Sequence, residues 1–139
     1  MAMGREELGP LAGLIRGQRW AALATHGGGK PLALSLHTRH LLADPAASLA
    51  ISEADTGAGN PQTLARISLQ GRVEEIPTDA PAYLAARALY ERRLPSSAPL
   101  FGFGDFHLFR LVPEEARFVA GFAQAYTVTP SELAQASVL

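Results

Sequence analysis

The sequence predicts a mainly β domain with peripheral helices, an α+β fold built on a small barrel. Three observations carry that expectation: about six stretches of strand length, glycine-rich turns between them, and helix signals confined to the flanks and crossovers. The 139 residues fit one domain, 1–139, with a helix within 1–18 and another within 129–139. Hydrophobic residues make up 47% and charged residues 18%, the balance of a chain that folds around a core.

The first helix spans 5–18, where Leu8, Leu11, Leu14 and Ile15 recur at helical spacing and Pro10 takes a first-turn position. Arg19 to Thr25 reads as a strand buried on both faces, Gly27-Gly28-Gly29 as a turn, and Lys30 to Ser35 as a second strand. A short helix follows from Leu36, stopped by Pro45, with Leu41 and Leu42 turned to the core. Ala47 to Ser52 is a third strand. In the fourth, Thr63 to Ile76, Arg66, Ser68, Gln70 and Arg72 alternate with Ile67, Leu69, Gly71 and Val73. One face of that strand is therefore polar, and it either meets water or lines a polar pocket. Asp79 is the expected cap of a helix running to about Arg92, packed on the sheet through Tyr83, Leu84, Ala88 and Leu89. Phe106 to Leu111 and Arg117 to Ala120 read as the last two strands. Thr129-Pro130-Ser131-Glu132 is a capping box that opens a C-terminal helix.

Composition excludes several classes of function. A net charge of −1 leaves no broad basic surface for nucleic acid. The absence of cysteine removes disulfides, zinc thiolate sites and thiol catalysis. Met1 to Glu7 lacks the apolar run of a signal peptide, and no stretch approaches the roughly 20 apolar residues of a membrane span. The expectation is a soluble, cytoplasmic protein without a membrane or nucleic-acid partner. His37 and His40 could share one helix face, but no carboxylate joins them at ligand spacing, so no metal site is expected. Neither a G-x-S-x-G elbow nor a G-x-G-x-x-G turn is present.

One stretch gathers the groups that grip an anion. Around the start of the helix at Leu36, Ser35 and Thr38 offer hydroxyls, His37 an imidazole and Arg39 a guanidinium, beside free backbone N–H groups. A ligand with an anionic end and a flat apolar body would fit there, its heteroatoms met by Arg66 and Ser68 and its ring flanked by Trp20 or a phenylalanine.

The run Leu36-His37-Thr38-Arg39-His40-Leu41, with Asp44-Pro45 and Ser48-Leu49, resembles the pyridoxamine 5′-phosphate oxidase-like, FMN-binding split-barrel family. The branch it resembles is that related to bacterial heme-utilisation proteins. Arg19 to Thr25, Arg66 to Gly71, Phe103 to Phe106 through Leu111, and Val119 to Phe122 match in the family's order and cover most of 12–135. The resemblance implies an FMN-binding split β-barrel, a homodimer with FMN in a groove between subunits, and a flavin-dependent oxidoreductase. It implies that Ser35, His37 and Thr38 lie at the flavin phosphate and that Arg66 lies at the flavin site; Arg39 and Ser68, from the anion-gripping stretch and the polar strand face, join them as cofactor-binding candidates. Catalytic residues and the small-molecule substrate stay unassigned, since the flavin itself handles hydride. Heme is the alternative cofactor, for a heme-binding or heme-degrading protein of the same fold. A third reading is a non-enzymatic dimer with a degenerate flavin site. It follows from two departures: His40 stands where the family usually has Asn, and Thr25 to Leu36 is short by about one strand and its turn.

Overall fold

The structure is a computed structural model that describes residues 1–19, 21–25, 36–104 and 106–139. The expected turn at Gly27–Gly29, the strand Lys30 to Ser35, and Trp20 lie outside the described residues. The described elements are helix α1 (Leu8–Gly17), strand β1 (Ala22–Thr25), helix α2 (Leu36–Ala43) and strands β2 (Ala46–Ser52) and β3 (Arg66–Glu75). Helix α3 (Tyr83–Arg93), strands β4 (Phe109–Gly121) and β5 (Gln124–Val128), and helix α4 (Pro130–Ser137) complete them. Short 3₁₀ turns occupy Arg5–Glu7, Pro61–Thr63 and Pro95–Gly102. The five strands form one antiparallel sheet in sequence order, β1-β2-β3-β4-β5.

The pleat divides the side chains between two faces. Ile67, Leu69 and Val73 of β3 share the inner face with Leu23 and Leu49 on one side and Leu111, Ala116 and Phe118 on the other. Arg66, Ser68 and Gln70 point outward, opposite Ala50 and Ser48 of β2 and Arg117 and Glu115 of β4. The alternation expected in the fourth strand is therefore real, and its polar face is open. The main core lies at one end of the inner face, where Leu11 and Leu14 of α1 and Ala136 of α4 pack on Ile67, Phe118, Tyr126 and Val128.

Two expected strands are one. Phe109 to Gly121 runs unbroken, because a bulge absorbs the Pro113-Glu114 interruption at the Gln70/Gly71 step of β3. Proline is tolerated there because β5 pairs only with Ala116 to Gly121, leaving that flank of the Pro113 stretch without a β5 partner. Strand β5 was not expected; Gly121 to Gln124 turns β4 back into it, with Ala123 at φ 61°. Strand β1 is not buried on both faces: Ala22 and Ala24 are exposed on the outer face. In α2, Leu41 is buried but Leu42 is 56% exposed, since consecutive helical residues diverge by about 100° and cannot share a face.

Helix α3 differs most from expectation. It begins after Ala82 with no side-chain cap, so Asp79 does not cap it, and Leu84 is 76% exposed. Only Tyr83 is buried, and Tyr90 instead meets Phe101 and Phe106 edge-on at 5.7 and 6.4 Å. The Arg87 guanidinium lies 4.8 Å from the Phe101 ring centroid, and its hydrogen bond to Glu91 raises its pKa above the ordinary value. Arginines tie the helix ends together. Arg93 Nη2 donates to the carbonyls of Arg16 and Gln18 at the end of α1, at 2.7 and 3.1 Å, and Arg16 donates to the Ser137 carbonyl at the end of α4. Each places positive charge on another helix's orphan carbonyls.

The capping box of α4 forms as the sequence predicts. Glu132 N–H donates to Thr129 Oγ1 at 3.2 Å and Thr129 N–H to Glu132 Oε2 at 2.7 Å. Thr129→Ala should cost about 1 kcal/mol, or roughly 3 °C in thermal unfolding followed by circular dichroism. An unchanged midpoint would show that the cap adds nothing to the helix.

Candidate functional site

At the start of α2, one hydroxyl holds two imidazoles. Thr25 Oγ1 lies 2.8 Å from His37 Nδ1 and 2.9 Å from His40 Nδ1. The three-residue spacing puts both rings on one side of the helix, at 6.4 Å and nearly perpendicular. A hydroxyl has one proton, so with neutral rings it donates to one Nδ1 and accepts from the other. This contact fastens α2 to the inner face at the end of β1. Thr38 is half-buried and Arg39 exposed beside it, and Ser35 lies outside the described residues. Among the described residues no three histidine, cysteine or carboxylate side chains converge as a metal site would require.

On the outer face, Arg66, Ser68 and Gln70 of β3 and Glu115 and Arg117 of β4 line an open polar groove of about 310 Å³. Ser68 sits directly across from Arg117 and Gln70 from Glu115. Arg66 reaches only the carbonyls of Gln62 and Leu64, at 3.4 Å. Neither Arg66 nor Arg117 pairs with a carboxylate among the described residues, whereas Arg72 pairs with Glu114 and Arg110 with Glu74 on the same two strands. Two guanidiniums flanking a hydroxyl can clasp a phosphate or carboxylate, because each presents forked N–H donors and keeps its charge at all working pH.

The site residues read from the sequence thus fall into two groups. Arg66 and Ser68 share the groove, while His37, Thr38 and Arg39 belong to α2 on the other side of the sheet, where Thr25 points. One chain does not bring the two groups into one pocket. Glu115 and Arg117 are additions; their signal is the alternation of 115–119, hidden because that stretch reads as a break and a separate short strand.

A second concavity, about 420 Å³, opens on the inner face beyond the main core. Leu23, Leu41, Leu49, Val73 and Leu111 form an aliphatic wall, and Tyr90, Phe106 and Phe109 an aromatic one. His107 also lines it. Its Nδ1 lies 2.6 Å from Glu75 Oε1, and its ring stacks on Phe109 with centroids 6.1 Å apart.

One antiparallel five-stranded sheet with helices packed on its inner face is an α+β architecture of split-barrel-like type. The sequence profile described as CREG, beta-barrel, matches residues 29–135, and the chain belongs to that family, within the pyridoxamine 5′-phosphate oxidase-like superfamily. No curated protein sequence matches it. Among solved structures, the heme binding protein from Mycobacterium smegmatis is similar over 96% of this chain and 62% of its own, at 22% identity and TM-score 0.81. Campylobacter jejuni ChuZ is similar over 95% and 63%, at 16% identity and TM-score 0.76. The heme storage protein HutZ of Vibrio cholerae is similar over 68% and 62%, at 24% identity and TM-score 0.53. At these identities the likeness is one of fold, and the chain spans about three fifths of the length of each. No helix among the described residues is long and apolar enough to cross a membrane.

Proposed function

We propose that the chain is an FMN-binding, pyridoxamine 5′-phosphate oxidase-like protein acting as a cytoplasmic homodimer, a flavin-dependent oxidoreductase on a small molecule. The observation that carries this reading is the pair of guanidiniums, Arg66 and Arg117, flanking Ser68 on an open sheet face. That donor set suits the phosphate end of FMN. The separation of the two residue groups supports a dimer, because a second copy seated on the outer face can bring its α2 to this groove. Ser35, His37, Thr38 and Arg39 would then meet the flavin from one subunit, and Arg66 and Ser68 from the other. FMN supplies hydride transfer when bound; the protein's part is to hold the phosphate, orient the ring and exclude water.

The test is the absorbance of the purified chain after incubation with FMN and desalting, with sedimentation to read its mass. Retained flavin bands and a dimer are the expected result. Arg66→Ala and Arg117→Ala should each weaken FMN binding by on the order of 10-fold or more, the scale of a charge-assisted hydrogen bond. A wild-type chain that keeps no FMN overturns the reading and leaves the non-enzymatic dimer with a degenerate site.

A second reading, a heme-binding or heme-degrading protein, is favoured by the inner cavity. Its aromatic wall and its single imidazole suit a flat apolar macrocycle with a metal at its centre. Two of the similar structures are a heme binding protein and a heme storage protein. A Soret band on adding hemin is the expected sign of this function.

A further inference from the structure

We propose that the outward stripe of α3 is a self-association surface, on which a second copy of the chain lays its own α3 antiparallel. The stripe consists of Leu84, Ala85, Ala88, Leu89 and Arg92, all exposed, Leu84 at 76% and Leu89 at 53%. At 100° per residue the five share an arc of about 140°. Tyr83, which is buried, and Tyr90, which meets Phe101 and Phe106, lie about half a turn round the helix. The stripe therefore faces away from the inner cavity that Tyr90 lines, and it belongs to neither the FMN nor the heme reading.

Two features of the stripe select a second copy as its occupant. The first is its order, Leu84-Ala85 and then Ala88-Leu89, which reads the same in both directions. A two-fold axis between Ala86 and Arg87 sets Leu84 beside the partner's Leu89 and Ala85 beside the partner's Ala88, each pair made twice, as an isologous contact requires. The alanines let the axes approach while the leucines fill the flanking grooves. The second feature is charge. Asp79 precedes the helix and Arg92 ends the stripe, so antiparallel packing carries Arg92 toward the partner's Asp79, again twice. A parallel pair would set arginine against arginine. Arg92 is also the uncommitted arginine of α3: Arg87 pairs with Glu91, and Arg93 donates to the carbonyls of Arg16 and Gln18. Neither Arg92 nor Asp79 meets an opposite charge among the described residues. One face of an 11-residue helix falls short of the roughly 800 Å² per partner of a standard interface, so the association is weak, with Kd on the order of 100 µM.

The experiment is sedimentation velocity of the full chain, without added ligand, from about 10 µM to about 1 mM, a range that brackets that Kd. Mass should double across it, from dimer to tetramer where the outer sheet faces already pair and from monomer to dimer where they do not. Failure of the sheet-face dimer is thus read at the low end and failure of this contact at the high end. Leu84→Glu should hold the low-concentration mass throughout, and its exposure means that it folds, which circular dichroism melting checks. Asp79→Arg and Arg92→Asp should each weaken association about 5-fold or more, and the two together should restore it. A wild-type mass constant to about 1 mM overturns the proposal. So does doubling that persists in Leu84→Glu, which would place the contact on another face. A double charge swap no tighter than either single variant overturns the antiparallel pairing and the proposal with it.

Discussion

Gly71→Ala should lower the unfolding midpoint by roughly 10 °C, a loss of about 3 kcal/mol, although it adds a single methyl group. A Cβ built on Gly71 would lie 2.1 Å from the Val112 carbonyl oxygen and 3.0 Å from Pro113 Cα, both backbone atoms of the neighbouring strand. No side-chain rotation can relieve such a contact; β4 itself must move. Gly71 sits at the step where the register between β3 and β4 shifts, so the strands pass closest where the bulge at Pro113 is accommodated. The displacement would also spread. Glu115 and Arg117 of the outer groove lie on one side of the bulge, Phe109 and Leu111 of the inner cavity on the other. Loss of FMN or hemin uptake should therefore accompany the loss of stability. Thermal melting decides the point: a midpoint within about a degree of wild type would mean that the close approach is not held in solution.

That bulge also marks where the sequence stopped being legible. Pro113-Glu114-Glu115 reads as a break because proline removes a ladder hydrogen bond. The glycine that makes the interruption harmless lies about 40 residues away on another strand. Features set by local chemistry could be read directly. The Thr129–Glu132 cap depends on residues three apart, and the polar and apolar faces of β3 follow from alternation within one strand. Features set by register could not. That Ser68 faces Arg117, that Glu75 meets His107, and that Thr25 and Arg66 lie on opposite faces all depend on how three or four strands align. One residue of slip would reverse each statement. The exposure of Leu84 and Leu89 has a related cause. Their spacing suits a helix packed on a sheet, but α3 packs instead against the 3₁₀ turns of Pro95–Gly102. The candidate site was legible in the same measure: Arg66 and Ser68 were visible on a polar face, and their partners on β4 were not.

Phe118→Ala should be the most costly single truncation, at about 3–5 kcal/mol. Phe118 is 1% exposed and is the largest of the fully buried side chains among the described residues. It sits opposite Ile67 on β3 and Tyr126 on β5, stacking on the tyrosine ring with centroids 6.3 Å apart. Residues from α1 and α4 close over the same spot, including Leu11 at 0% and Ala136 at 2% exposure. Truncation therefore removes aromatic area from water-free surroundings and leaves a hole lined by three strands and two helices, none of which can collapse into it without losing its own register. Burial and the neighbouring Glu7 carboxylate also hold the Tyr126 phenol above its ordinary pKa, so Tyr126 stays neutral and packed as an apolar ring through the neutral range. The contrast is Phe122→Ala in the β4–β5 turn, 73% exposed, which should change stability by less than about 0.5 kcal/mol. Urea unfolding of the two variants side by side separates burial from residue type. A comparable cost for both would mean that the helices do not close on Phe118. Because the inner cavity lies at the other end of the sheet, a Phe118→Ala chain held well below its midpoint should still take up its ligand. The core sets how long the barrel lasts; the residues around the bulge and cavity set what it can hold.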